Sequence, residues 1–203
     1  MVKYLDPRSI LNFSFLYTSY QYIVGGIRAR RLFVENDVNV KTGDRVLDIG
    51  CGPGDILKFL PEVEYVGIDV DANYIDTAKK KYPQHTFYCT GVEAFDTETL
   101  GLFDVVVSSG VVHHLDDKQA FDLFSIAKKA LKESGKLITF DGCYIEQQNS
   151  ISRKFLEMDR GKFVRNEKEY KQLAQKHFDS VSTKIDETYF HIPYTSIIMT
   201  CNN

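Results

Sequence analysis

Val46-Leu47-Asp48-Ile49-Gly50-Cys51-Gly52-Pro53-Gly54-Asp55 is the stretch whose reading decides the fold. Val46, Leu47 and Ile49 form a short apolar run of the kind used by parallel strands covered on both faces. Gly50, Gly52 and Gly54 then let the backbone turn sharply, or approach a ligand with no Cβ in the way. Pro53 has the fixed φ and missing N–H that suit a first helical position, so a helix is expected from Pro53 to about Leu60, stopped by Pro61. A strand, a glycine turn and a helix in succession form the place where α/β sheets hold nucleotide-like ligands, because free helix N–H groups face the ligand.

Downstream, strand and helix patterns alternate. Glu64–Ile68 reads as a second strand ending in Asp69. Asp71 stands just before the helical pattern Ala72–Tyr82 and is explained as its N-cap. Asp69 has no such explanation. It lies at the carboxyl end of a strand neighbouring the glycine turn, where a ribose-binding acid is expected, and a carboxylate accepts from two adjacent hydroxyls. His85–Cys89 is a third strand, leading to Gly91-Val92-Glu93. Phe103–Ser108 is a fourth, leading to Ser109-Gly110-Val111-Val112-His113-His114-Leu115. Asp116 or Asp117 caps a helix to about Lys132, with Ala120, Phe121, Phe124, Ala127 and Leu131 inward and Gly135 as its C′ glycine. Lys136–Phe140 is a fifth strand, running into Asp141. Asn166 and Glu169 make a capping box for a helix to about Phe178. Val181–Asp186 and Tyr194–Cys201 are close enough to pair antiparallel. Between 145 and 165 the pattern weakens around a mildly basic run of Arg153, Lys154, Arg160, Lys162 and Arg165.

Upstream, Ile10, Phe13, Tyr17, Tyr20 and Val24 recur at helical spacing. Gly25-Gly26 breaks this pattern into two helices, the second from about Ile27 to Glu35. The stripe suits either packing on the domain or a lid over a ligand, and Arg28, Arg30 and Arg31 read as a solvated face. With 203 residues and no linker or repeat, a single domain is expected over 1–203. It divides into a helical cap over 1–40 and a core over 41–203 with a loop insert near 145–165. A net charge of -3 carries no electrostatic footprint for nucleic acid. The four cysteines lack metal-ligand spacing and suit reduced thiols. No signal-peptide core or membrane-length apolar run occurs, so a cytoplasmic location and no membrane partner are expected.

The glycine spacing selects the ligand. A dinucleotide fingerprint needs a third glycine at position 55, which is Asp55. That carboxylate in the first helical turn competes with a pyrophosphate for the helix end and repels it, and Asp48 adds a second negative group. The turn favours an adenosine ligand carrying positive charge rather than phosphates, which disfavours a nicotinamide dehydrogenase.

Val46–Asp55, Gly67-Ile68-Asp69 and Phe103–Leu115 together resemble the successive signature segments of class I S-adenosylmethionine-dependent methyltransferases. The match in order and spacing runs from about Arg45 to Asp141. The resemblance implies an α/β, Rossmann-like three-layer sandwich around a seven-stranded, mostly parallel sheet with the last strand antiparallel, and S-adenosyl-L-methionine as cofactor. It also assigns roles. Asp48 and the backbone of Gly50, Cys51 and Gly52 would face the methionine end, Asp69 the ribose, and Val70 the adenine. Gly91, Val92 and Glu93 would border the adenine, and the Ser109 carbonyl would meet the cofactor's amino group. Many relatives carry Asp at position 91, so a side-chain contact to the adenine amine is absent here or comes from elsewhere.

The acceptor is less defined. The Asp/Asn-Pro-Pro-aromatic motif of amino-methyltransferases for DNA bases is replaced by Ser108-Ser109-Gly110-Val111, and the double glutamate of protein arginine methyltransferases is missing. A metal is not expected, Asp141 being a possible ligand without matching partners. A small-molecule acceptor, with oxygen as the methylated atom, is the leading expectation. A non-catalytic S-adenosylmethionine-binding module, or an enzyme using the cofactor without methyl transfer, is the alternative. His113 and His114 are the candidate bases, against a role in hydrogen-bonding the turn. Tyr17, Tyr20, Tyr144, His191 and Tyr194 are candidates for the acceptor pocket, and the basic stretch Arg153–Arg165 would favour an anionic acceptor.

Overall fold

Side chains of the central strands alternate between two apolar layers. In β1 (Arg45–Ile49), Val46 faces one core and Leu47 and Ile49 the other; in β4 (Phe103–Ser109), Val105 and Val107 face the first and Val106 the second. In β5 (Leu131–Tyr144), Leu137 and Ile138 divide in the same way. This period of two, with both faces apolar, requires helices on both sides. The computed structural model describes residues 25–95, 97, 100–159 and 161–202. On one side lie α1 (Gly26–Phe33) and α2 (Ala72–Lys81), contributing Ala29, Phe33, Ile75 and Ala78. On the other lie α3 (Asp117–Ala130) and, beyond α4 (Ser150–Met158), α5 (Glu167–Ala174); Leu123, Phe124, Tyr170 and Leu173 pack there.

With β2 (Glu64–Asp69), β3 (Thr86–Cys89), β7 (Ser180–Asp186) and β8 (Ser196–Asn202), the strand order is β3-β2-β1-β4-β5-β8-β7. The pairings β1–β2, β1–β4, β2–β3 and β4–β5 are parallel, while β8 runs antiparallel to both β5 and β7. This is the expected sheet, with one addition: the two-residue β6 (Arg165–Asn166) pairs with the end of β5. Strand order reverses at β1, between β2 and β4. The carboxyl ends there form the crevice in which open α/β sheets hold ligands.

Several local expectations are corrected. No helix starts at Pro53. Gly54, with φ 74, is the N-cap of a short 3₁₀ turn, Asp55–Lys58, because positive φ at Gly50, Gly52 and Gly54 keeps the chain turning past the proline. Helix α3 ends at Ala130, and Gly135 lies inside β5, where a Cβ would come within 3.0 Å of the Phe103 carbonyl oxygen. Leu123 takes the core position expected of Phe121, which is 40% exposed and packs edge-on against His177. Helix α4, capped by the Asn149 side chain, occupies part of the weakly patterned 145–165 stretch. Its only buried residues are Ser152 and Leu156, too few to print a periodic stripe. Arg28 is half-buried and not only a solvated face: its guanidinium donates to the carbonyls of Thr188 and Tyr189. Arg160 and the stripe Ile10, Phe13, Tyr17, Tyr20 and Val24 lie outside the described residues. Among the described residues no helix is long and apolar enough to cross a membrane.

Candidate functional site

The glycine turn at the end of β1 is tied down by its own amides. Gly50 and Cys51 donate to the Ile68 carbonyl at 2.8 and 3.0 Å, Gly54 donates to the Cys51 carbonyl at 3.1 Å, and Gly52 donates to Asp69 Oδ2 at 2.9 Å. A phosphate-binding turn leaves such N–H groups pointing outward; here each has a protein acceptor. Asp55 behind the turn is paired with Lys58 and Lys81. Burial pushes its pKa up, but the two lysines outweigh this and hold it below the usual carboxylate range. The Gly50, Cys51, Gly52 and Gly54 amides therefore offer no phosphate cradle, and Asp69 holds the turn at Gly52.

Asp69 organises the far side. Its Oδ1 accepts from Asp71 N–H at 2.9 Å, and its backbone carbonyl accepts from Thr90 N–H at 2.9 Å, which draws the β3 end towards it. Asp71 caps α2 as expected, accepting from the Asn73 and Tyr74 amides. Each Asp69 oxygen keeps a second lone pair for a hydroxyl. Val70 beside it is 76% exposed, an aliphatic face beside that carboxylate. Val92–Ala94 is a 3₁₀ turn that folds the Glu93 carboxylate back over Gly91, so that a Cβ at position 91 would lie 2.6 Å from Glu93 Oε1. Glu93 thus brings a carboxylate next to Gly91.

Asp48 is 3% exposed and accepts a 2.6 Å hydrogen bond from the buried Tyr65 hydroxyl. Burial pushes Asp48 up to about 7, the Tyr65 bond opposing it, with Asp69 raising and Arg30 lowering it further. Burial, then Asp48 and Asp69, drive the Cys51 thiol far above its ordinary range, so it is a neutral packing group. Ser109 closes β4, and the Gly110 amide crosses to the Phe140 carbonyl at 2.7 Å. Tyr65 carried no sequence signal, because its partner is a residue on the neighbouring strand.

After β4, His113 is buried and His114 exposed, with ring centroids 4.1 Å apart. Asp141 Oδ1, at the end of β5, lies 2.7 Å from His113 Nδ1 and also accepts the His113 backbone N–H at 3.2 Å. His113 Nε2 is 3.6 Å from Asp159 Oδ1. Burial would lower the His113 pKa, but Asp141 and Asp159 raise it to about 9. The Asp159 carboxyl, raised by burial but lowered more by His113, falls to about 2. The two carboxylates therefore favour the protonated ring, which makes His113 a poor proton acceptor. Asp159, within the weakly patterned stretch, was not foreseen in the sequence.

The other candidates are distributed around this pair. Arg165 is buried and donates to the carbonyls of Val112, Leu115 and Phe163 and to Asp117. Arg153 pairs with Glu157 and lies over the Tyr144 ring. The Tyr194 ring packs on Phe190, and its hydroxyl is 3.4 Å from Asp159 Oδ2. His191, Phe190, Asn149, Glu187, Ile192 and Pro193 line a hollow of about 300 Å³. Phe190 stacks on Phe140, next to Asp141, which puts the hollow near the carboxyl end of β5. Tyr17 and Tyr20 lie outside the described residues.

Comparison with known proteins agrees with this architecture. Residues 47–137 match the family described as Methyltransferase domain. Phosphoethanolamine N-methyltransferase 3 of Arabidopsis thaliana is 31% identical over 141 residues, covering 59% of this chain and 25% of the relative. Ubiquinone biosynthesis O-methyltransferase of Idiomarina loihiensis is 27% identical over 148 residues, covering 66% of this chain and 60% of the relative. Proteins named for RNA methylation are also among the relatives. The chain spans about a quarter of the length of the Arabidopsis relatives. Among solved structures, a TehB-like SAM-dependent methyltransferase from Corynebacterium glutamicum superposes with a TM-score of 0.66 at 18% identity, covering 98% of this chain and all of that one. The matched domain begins inside β1 and ends inside β5, enclosing the glycine turn, Asp69 and the His113-His114 turn. Residues 47–137 therefore form a methyltransferase domain, and the chain has the fold of solved S-adenosylmethionine-dependent methyltransferases.

Proposed function

We propose that this chain transfers the methyl group of S-adenosylmethionine to a small molecule, at an oxygen atom, in the crevice between the ends of β1, β2, β4 and β5. The observation that carries the donor side is the pairing of Asp69 and exposed Val70 with a turn whose amides already have protein acceptors. These residues fit an adenosine without phosphates: Asp69 for the ribose hydroxyls, Val70 against the base, Glu93 for the exocyclic amine, with Val92 and the Gly91 backbone alongside. Asp48 and the backbone of Gly50, Cys51 and Gly52 face the amino-acid end, and the Ser109 carbonyl meets its amino group. When bound, the cofactor supplies an electrophilic methyl on a sulfonium. The protein's task is to align an acceptor lone pair with that methyl and to exclude water. Loss of a hydroxyl proton falls to His114, the exposed member of the histidine pair, while His113 is held by Asp141 and Asp159.

The hollow beside Phe190 and His191 suits the acceptor. Exposed Lys154 and Lys162 are left to favour an anionic one, an idea supported by the relative named for phosphoethanolamine. The same relative is an N-methyltransferase, so an amine nitrogen is the second reading of the acceptor atom. The net charge of -3 supports a small molecule over a nucleic acid. Four unpaired cysteines support a reducing, cytoplasmic setting. Calorimetry with S-adenosylmethionine, S-adenosylhomocysteine and NAD tests the donor; tight NAD binding would overturn it. Formation of S-adenosylhomocysteine with panels of hydroxylated and amino metabolites tests the transfer. No turnover despite tight donor binding would favour a non-catalytic binding module, and an N-methylated product would replace the oxygen reading.

A further inference from the structure

We propose that His113, His114 and Asp159 form a binding site for one divalent transition-metal ion of the zinc type. The separation of His113 Nε2 and Asp159 Oδ1, 3.6 Å, is too long for a hydrogen bond. It is the spacing of two ligands on one ion: bonds of about 2.1 Å at roughly tetrahedral angles put their donor atoms about 3.4 Å apart. The ligand atoms of all three residues lie within 4.8 Å of one another. Separations of up to 4.8 Å exceed that spacing, so the exposed His114 ring would turn towards the other two ligands to complete the set.

The first ligand is already oriented. Asp141 Oδ1 at His113 Nδ1 is the carboxylate–histidine arrangement that fixes a ring and leaves Nε2 for a metal. Asp141 Oδ2, buried, has no hydrogen-bond partner among the described residues, so this outer carboxylate has unused acceptor capacity. Two imidazoles and one carboxylate suit zinc-type ions and not magnesium, which takes oxygen ligands. Because His113 and His114 follow β4 and Asp159 ends α4, the ion would join the covering segment to the sheet and keep a coordination position for water or an acceptor oxygen.

An ion and an acceptor's proton would compete for the one lone pair of the His114 ring, so the base role proposed above belongs to the metal-free chain; the inference does not depend on methyl transfer, and its test does not use turnover. The full chain is stripped with a chelator and titrated with ZnCl₂, and separately with MgCl₂, at about pH 8, where protons compete less for the ligands. Bound metal is counted by mass spectrometry. The expected result is one zinc per chain, no stoichiometric magnesium, and affinity at least about tenfold lower in His114→Ala and in Asp159→Asn. Both substitutions are on solvent-accessible side chains, and circular dichroism checks that the variants are folded. Cys89→Ser, which removes the exposed thiol, should leave the uptake unchanged. Absence of stoichiometric zinc, uptake unaffected by both ligand substitutions, or uptake lost with Cys89→Ser would each overturn the site.

Discussion

Asp69 joins three segments through one carboxylate and one carbonyl: the glycine turn by Gly52, the α2 entry by Asp71, and the β3 end by Thr90. Replacing it by Ala removes charge-assisted hydrogen bonds, each worth about 1.5–3 kcal/mol. Asp69→Ala should weaken S-adenosylmethionine binding by about 10- to 100-fold in calorimetry, with native circular dichroism; wild-type affinity would remove the ribose assignment. Asp48 makes a prediction about pH. Its folded pKa of about 7 lies above the ordinary carboxylate value, so the folded state binds the proton more tightly than the unfolded chain. Stability contributed by this group is present at acid pH and falls as pH rises from about 4 to 7. Asp48→Asn abolishes that slope, so the gain in melting temperature over wild type should be larger at pH 8 than at pH 5. An equal difference at both would show that Asp48 does not titrate there. Asp69 was legible in the sequence because strand end and helix cap are local signals. The Asp48–Tyr65 bond was not, because it joins side chains on two strands.

Among the elements, the glycine turn is held by torsion and by contact, and these can be separated. Gly43 and Gly50 both have positive φ, 88° and 78°, where a non-glycine residue is strained. A methyl on Gly43 meets nothing within 4 Å, whereas one on Gly50 would overlap a Val111 methyl in the turn that carries His113. Gly43→Ala should therefore cost about 1–2 kcal/mol, the torsional part alone. Gly50→Ala should cost roughly 2 kcal/mol more through overpacking. Equal midpoints in urea unfolding would show that the Val111 contact is relieved cheaply. The capping boxes Asp116–Gln119 and Asn166–Glu169 were readable because their partners lie three residues apart. Helix α4 escaped the sequence because little of it is buried.

At the scale of the whole molecule, Arg165 binds the segment that follows α4 to the turn after β4. It reaches the Val112 and Leu115 carbonyls and Asp117, and it is 7% exposed. Arg165→Ala takes the guanidinium from the Leu115 carbonyl and leaves the Val112 carbonyl with the Leu115 N–H alone, a loss of about 1–3 kcal/mol. Limited proteolysis should then cut within 145–165 several times faster while the strands stay protected in hydrogen exchange. Uniform loss of protection would mean that Arg165 supports the global fold instead. The sequence by itself determined the parallel sheet, its antiparallel end and the glycine turn, because period, torsion and capping act over a few residues. Only the tertiary structure decided that Arg165 serves as a clamp, that Glu93 covers Gly91, and that His113 sits between Asp141 and Asp159. Those arrangements depend on where distant segments meet, which is set by packing across the two faces of the sheet and leaves no period along the chain.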